Sequence, residues 1–282
     1  MTSEYPDFIF ECTGPWRTYR NKALHKIEDS APTGSEPPVT HLLGGQQEIA
    51  SSQHSHVCKA VLNNGGETLP VYFKGMDFKS PRDAIKQQFC KSRAIKAFEA
   101  ELLLQSLGFD TPTTLLTGWR QRLFFKDSFF TLSAALNDYN DLYTTVAQLR
   151  GQSSSQKRAF IEQLAATIAR MHRENIGHGD LRAGNVMCQQ NAGWKFSFLD
   201  NERTRQYTKL PENIRIKNLV QLNLLLSPVI YKADRQRFFN HYSALCYGQT
   251  NKGLLDKVIN KTRKRLKSML GKKKIEATDI WL

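Results

Sequence analysis

The sequence predicts an α+β fold with a sheet-rich first half and a helical second half. Three observations carry that expectation. Two β-rich runs, HVCKAVLN and ETLPVYFK, flank the turn-forming stretch Asn63–Gly66. One long stretch of helical periodicity follows, and then a second pair of β-rich runs. From Lys157 onward, apart from one short hairpin, the apolar residues recur at helical spacing.

The elements follow in order. The first forty residues include EDSAPTGSEPPVT (Glu28–Thr40), rich in Pro, Ser and Gly, and read as an irregular arm. The strand after the Asn63–Gly66 turn ends on Tyr72-Phe73-Lys74. The stretch PRDAIKQQFCKSRAIKAFEAELLLQSLGFDTP carries Ile95, Phe98, Leu102, Leu103 and Leu107 at helical spacing, with Gly108 to stop the helix and Pro112 beyond it. TTLLTGW and LFFKDSFFTLSAAL read as a strand pair. GQSSSQ supplies an N-cap for a helix with Phe160, Ile161, Leu164, Ile168 and Met171 on one face. That helix delivers the chain to His178. No internal repeat is visible. The boundary falls near residue 136, giving a sheet-rich lobe over 1–136, with its arm over 1–40, and a helical lobe over 137–282.

Composition narrows the class. Of 282 residues, 40% are hydrophobic, enough for a globular core. The net charge of +14, with a pI near 9.6, calls for an anionic partner. Five scattered cysteines without a C-x-x-C pair suggest neither a disulfide framework nor a zinc site, and fit a reducing cytosol. The acidic start MTSEYPDFIFEC is unlike a secretory signal, and no run approaches the roughly 20 apolar residues of a membrane span.

The chemistry concentrates in HGDLRAGNV (His178–Val186) and the FLDNE that follows a short hairpin. Phosphoryl transfer needs a metal and a cation against the charge on the transferred group, and a group that orients the attacking hydroxyl. Asp180 suits the catalytic base. Asn185 offers an amide oxygen to a metal. The hairpin VMCQQNAGWKFSFLD, turning at Asn191–Gly193, should return Asp200 beside Asn185 as the stronger ligand, which matches the few hard oxygens that magnesium takes from protein. His178 fits a structural role and Gly179 a tight backbone. Helix, H-G-D-x-x-x-x-N, hairpin, then an apolar strand ending in Asp is the protein-kinase order. In that template Lys74 is the strand lysine for the nucleotide phosphates. Glu99, followed by Leu102 and Leu103, is the helix glutamate that holds it, with Glu101 as the alternative. A glycine-rich loop is missing. The equivalent hairpin tip holds Ser51, Ser52, Gln53 and Ser55, whose backbone N–H groups can cradle phosphate.

Over roughly Val57 to Tyr247 the sequence resembles the bacterial lipopolysaccharide core kinases, the heptose and Kdo kinases. The matching pieces are VYFK, SRAIKAFEAELLLQSLGFDTP, HGDLRAGNV, FLDNERTR and RIKNLVQLNLLLS with DRQRFFNHY. The resemblance implies a bilobal protein-kinase-like fold, ATP and Mg2+ as cofactors, and a sugar hydroxyl of the inner core as acceptor. It carries over Lys74, Glu99, Asp180, Asn185 and Asp200. The chain passes from Asp200 to the NLVQLN helix with little between, which implies no activation-loop switch. Where many relatives have Asp-Phe-Asp, this chain has Asp200-Asn201-Glu202. HGDL also resembles the aminoglycoside and choline kinases, so a soluble acceptor stays open, as does a non-catalytic kinase-like module.

The segment Lys252–Lys274 is dense in Lys and Arg, with Leu255, Val258, Ile259, Leu266 and Met269 able to share a helical face. It suits peripheral contact with the anionic inner face of the inner membrane in a cytoplasmic enzyme, or a last helix packed on the helical lobe. No nucleic-acid partner is expected, since no recognition module is present.

Overall fold

Local sequence signals set the first element boundaries. In the computed structural model, which describes residues 4–24, 36–49, 53–78 and 80–271, the Asn63–Gly66 turn joins β4 (Ser55–Asn64) to β5 (Glu67–Met76). Gly65 and Gly66 adopt φ of 64° and 84°, the positive values that a two-residue hairpin loop demands. The chain forms two compact units, Met1–Leu107 with Thr111–Asn137, and Gly108–Asp110 with Asp138–Leu282.

The first unit is built on a seven-stranded antiparallel sheet. Its other strands are β1 (Phe8–Thr13), β2 (Trp16–Asn21), β3 (Leu43–Ile49), β6 (Thr114–Arg122) and β7 (Phe125–Ala134), in the order β1-β2-β6-β7-β5-β4-β3. The expected irregular arm is therefore wrong for residues 8–21. FIFECT and WRTYRN pair as a hairpin, and β2 continues the sheet onto β6. Much of the Pro- and Ser-rich stretch, residues 25–35, lies outside the described residues.

The expected long helix is two helices, α1 (Pro81–Phe89) and α2 (Arg93–Ser106). Each starts on a serine: Ser80 accepts from the Asp83 N–H and Ser92 from the Ile95 N–H, both at 3.2 Å. Gly108, at φ 70°, follows the end of α2. One face of the sheet carries Val71, Leu116, Phe130 and Leu132; the other carries Met76 and Phe129, packed with Ala94 of α2.

In the second unit, Ser153 caps α4 (Ser154–Arg173) in a reciprocal capping box with Gln156. Phe160, Ile161, Leu164, Ile168 and Met171 are all buried, as their spacing required. The other helices are α3 (Leu142–Gln148), α5 (Glu212–Asn223), α6 (Lys232–Tyr247) and α7 (Lys252–Gly271), with α4 against α6 and α5 against α7. Two small sheets complete it. β8 (Asn140–Asp141), β10 (Val186–Gln190) and β11 (Trp194–Phe198) form one, in the order β11-β10-β8. β9 (Ile176–Gly177) and β12 (Arg205–Gln206) form the other.

Of the expected apolar face of α7, Val258 and Leu266 are buried together with Leu254 and Thr262. These four recur at helical spacing and turn toward the protein, while Leu255, Ile259 and Met269 of the expected face are half-buried. Its lysines and arginines, among them Lys261, Arg263, Lys264, Arg265 and Lys267, are exposed. Residues 272–274 of the basic segment lie outside the described residues. No described helix is long and apolar enough to cross a membrane.

Candidate active site

The loop after α4 is held from behind by a chain of buried polar groups. Arg215 donates to the Tyr242 hydroxyl at 2.6 Å, and that hydroxyl meets His172 Nδ1 at 2.8 Å. His172 Nε2 lies 3.2 Å from Asn218 Oδ1. Asn218 then pairs with both backbone groups of His178, accepting from its N–H at 3.1 Å and donating to its carbonyl at 2.7 Å. Burial holds the His172 imidazole down at about pKa 3, so it is neutral and serves as a link in the chain.

His178 orients the loop that carries Asp180. Its Nδ1 accepts the Asp180 N–H at 3.0 Å, which places the imidazole proton on Nε2, a buried atom with no hydrogen-bond partner among the described residues. Burial lowers its pKa to about 4, against the pull of the Asp200 charge. Gly179 is required by contact rather than by dihedral. A Cβ there would lie 2.1 Å from the Arg203 Cβ and 2.7 Å from its carbonyl carbon. Its N–H also points at Thr204 Oγ1, 3.4 Å away, and Lys217 donates to its carbonyl at 2.5 Å.

Asp180 has two partners that the sequence did not reveal. Gln221 Nε2 donates to Oδ1 at 2.5 Å, and Arg182 Nε lies 2.8 Å from the same oxygen. Among the described residues both take Oδ1, which leaves Oδ2 without a partner. Gln221 also accepts the Leu181 N–H at 3.1 Å, so one side chain of α5 fixes the loop backbone and the carboxylate together. Lys217 and Gln221 stand four apart on α5, on one helical face. That spacing was the available signal, set beside the buried Leu219, Val220 and Leu222.

The expected meeting of Asn185 and Asp200 has a backbone cause. Leu199 donates its N–H to the Asn185 carbonyl at 2.9 Å, so the residue before Asp200 is bonded to Asn185. The hairpin of β10 and β11 turns over Asn191–Gly193, with Gln190 opposite Trp194. Asn185 Nδ2 donates to the Asp180 carbonyl at 2.8 Å, which leaves Oδ1 as an acceptor with no donor among the described residues. Asp200 sits at φ 57° and ψ 50°, a left-handed conformation that is uncommon for a non-glycine residue. One carboxylate and one amide oxygen are the hard donors that a magnesium ion shared with phosphate takes from protein, so the residues fit the metal. No group of three or more His, Cys, Asp or Glu side chains forms a protein-only metal cage among the described residues.

Asn201, in the place of the usual Phe, is fully buried. It donates to the Phe198 carbonyl at 2.9 Å and stitches the turn that carries Asp200. Glu202 lies 3.4 Å from Arg203.

Lys74 of the first unit pairs with Val57 on one side and Thr131 on the other. Strand alternation puts it on the same face as Met76, which packs on Ala94 of α2. Glu101 lies two helical turns beyond Ala94 on that same side, and it accepts from the Thr114 hydroxyl in β6. Glu99 is turned elsewhere. Among the described residues its partners are the Tyr5 hydroxyl at 2.5 Å and the Lys91 ammonium, not Lys74. Glu99 therefore stands off the buried face of α2, which runs through Ala94, Phe98, Ala100 and Leu104 rather than beside Leu102 and Leu103. Of the proposed phosphate loop, Ser51 and Ser52 lie outside the described residues. Ser55 opens β4, after a turn at Gln53 and His54.

The model of the lipopolysaccharide kinase (Kdo/WaaP) family matches residues 51–242. The chain belongs to this family. It is a lipopolysaccharide kinase, a phosphotransferase that acts on sugars of the lipopolysaccharide core. Membership implies use of ATP and a divalent metal. No curated protein sequence matches the kinase significantly. Among solved structures it is similar to one described as WaaP in complex with acyl carrier protein, at 18% identity and a TM-score of 0.59, over 80% of this chain and 90% of that one. That likeness supports the fold, a large antiparallel sheet followed by a helical region.

Proposed function

We propose that this kinase transfers the γ-phosphoryl group of ATP, with Mg2+, to a hydroxyl of heptose or Kdo in a lipid-linked inner core, at the cytoplasmic face of the inner membrane. The observation that carries the reading is the state of Asp180. Gln221 and Arg182 both bind Oδ1, and Oδ2 is left to accept the proton of the acceptor hydroxyl. As that proton moves to Oδ2, the acceptor oxygen bonds to the γ-phosphorus, the bond to the β-phosphate oxygen breaks, and ADP leaves. The Arg182 guanidinium and Gln221 hold Oδ1 between them, which fixes the carboxylate so that Oδ2 faces the acceptor hydroxyl. Asn185 and Asp200 would hold the metal, which supplies charge neutralisation on the phosphates. Lys74 is assigned to the nucleotide phosphates, and Glu101 rather than Glu99 to Lys74, because Lys74 lies on the face of the sheet that packs on α2 and Glu101 on the side of α2 that meets the sheet, while Glu99 turns to Tyr5 and Lys91.

The membrane part of the reading draws on charge alone. The +14 net charge and the exposed basic side of α7 favour an anionic surface, while the apolar side of α7 is packed within its own unit. Incubation with γ-labelled ATP and, side by side, lipid-linked core, delipidated core and free aminoglycosides tests the acceptor. Label should enter both core preparations and not the aminoglycosides. Label in an aminoglycoside without label in either core would overturn the reading.

A further inference from the structure

We propose that the outward side of α1 and the tip of the β6–β7 hairpin together form a docking surface for an anionic lipid bilayer, with apolar side chains entering the interface and exposed cations beside them. The choice of lipid as the occupant rests on the acceptor being lipid-linked, and it moves the apolar membrane contact from α7 to the sheet-rich unit.

The first observation is the orientation of α1. Its sequence, PRDAIKQQF, puts Arg82, Ile85, Lys86 and Phe89 on one side, at spacings of three and four. That side is exposed: Ile85 is 64% accessible and Phe89 87%. The opposite side carries Gln87, which is 2% accessible and donates to Asp83 at 2.9 Å. The helix therefore buries an amide and presents its large apolar residues, the reverse of a helix that packs to bury a core stripe.

The second observation is the hairpin tip. Arg122 pairs with Phe125, so Leu123 and Phe124 form a two-residue loop. Such loops favour Asn and Gly because positive φ is needed. Here Leu123 takes φ 51° and is 88% exposed, and Phe124 is 89% exposed. A branched apolar residue held in a strained conformation at a protruding tip has no packing reason to be there.

The third observation is that the two features are one body. Gln88 of α1 accepts the Lys126 N–H at 2.7 Å and donates to the Lys126 carbonyl at 3.0 Å, and Lys126 Nζ reaches the Gln87 and Cys90 carbonyls at the end of α1. The apolar ends, Ile85, Phe89, Leu123, Phe124 and Phe125, thus belong to a single rigid projection. Arg82, Lys86 and Arg122 are exposed beside it; Arg122 lies 3.5 Å from Asp127, whose carboxylate also takes Arg120, and the nearby Asp83 is turned inward to Gln87. Protruding apolar tips with exposed cations beside them match the headgroup–acyl boundary of an anionic leaflet.

The test uses the full chain with Leu123→Asn, Phe124→Gln and Phe89→Gln combined. All three side chains are exposed, and asparagine is better suited to the Leu123 backbone than leucine, so folding should be preserved; the thermal midpoint checks this. Sedimentation with vesicles of phosphatidylglycerol and phosphatidylcholine, and with phosphatidylcholine alone, reads the docking. Wild type should pellet with the anionic vesicles, and the variant should partition about tenfold or more weakly. Labelling of delipidated core should be unchanged, and labelling of vesicle-embedded core should fall in step with binding. Equal pelleting of wild type and folded variant overturns the proposal. So does a wild type that ignores vesicles and forms dimers the variant cannot form, since the surface would then serve a second copy. Failure to label any core, with vesicle binding still lost in the variant, would count against the acceptor and leave the docking surface standing.

Discussion

Gln221 of α5 donates to Asp180 Oδ1 at 2.5 Å and accepts the Leu181 N–H at 3.1 Å. The assigned base is therefore aimed by a helix outside its own loop. Gln221→Ala should leave nucleotide binding near wild type and lower turnover by about tenfold, the scale of one hydrogen bond to a charged group. Gln221→Glu should lower it further, by setting a second carboxylate against Asp180. Steady-state kinetics with delipidated core checks both, and an alanine variant with unchanged kcat would remove Gln221 from the mechanism.

Asp180→Asn keeps size and hydrogen-bonding capacity but cannot accept the hydroxyl proton. ATP affinity should stay close to wild type, while transfer falls roughly 10²-fold or more. Matching losses in binding and transfer would point to a structural role.

Asp200→Ala should abolish metal-dependent turnover and leave the fold intact, because Asp200 follows the end of β11 and its turn is held by the buried Asn201. Metal titration by isothermal calorimetry in the presence of a non-hydrolysable ATP analogue gives a readout independent of activity. Wild-type metal affinity in the variant would refute the assignment.

Two glutamates on α2 separate by direction. Glu101→Gln should raise the KM for ATP by about tenfold if it holds the phosphate lysine, whereas Glu99→Gln should change it by less than about twofold. The Glu99 variant should instead lower the thermal midpoint, since Tyr5 and Lys91 lose their shared partner. Reversal of the two KM effects would restore Glu99.

The buried histidines predict acid sensitivity. Folded His172 and His178 titrate near 3 and 4, below the unfolded value of 6.5. Between those limits the unfolded chain binds protons that the folded one does not, so the stability present above pH 6.5 is lost as pH falls toward 4. Thermal midpoints at pH 7, 6 and 5 should decline before most carboxylates titrate, and a flat profile over that range would contradict the assignment.

Much of the second unit could be read because its signals are local. Five apolar residues of α4 are buried where periodicity put them, and the spacing from His178 to Asp200 survives as hydrogen bonds among Asp180, Asn185 and Leu199. The failures are non-local. FIFECT and WRTYRN are strands because β2 pairs with β6, a partner far along the chain, and their position ahead of a Pro-rich stretch disguised them. On α2 the leucines at 102 and 103 drew the expected face away from Ala100 and Leu104, and one residue of error turns a helix by about 100°. Asn218 and Gln221 looked like ordinary polar residues of a helix, because nothing in their own segment shows that His178 and Asp180 come to meet them.

The contact of Gly179 with Arg203 leaves no slack between the loop that holds Asp180 and the turn that holds Asp200. Thr204 and the pairing of β12 with β9 close the same seam. The two loops must therefore order together, and neither can drift by even a methyl group without displacing the other. A side chain at position 179 would have to push Arg203 aside and carry the turn of Asp200 with it, so the two loops tolerate change only as a pair.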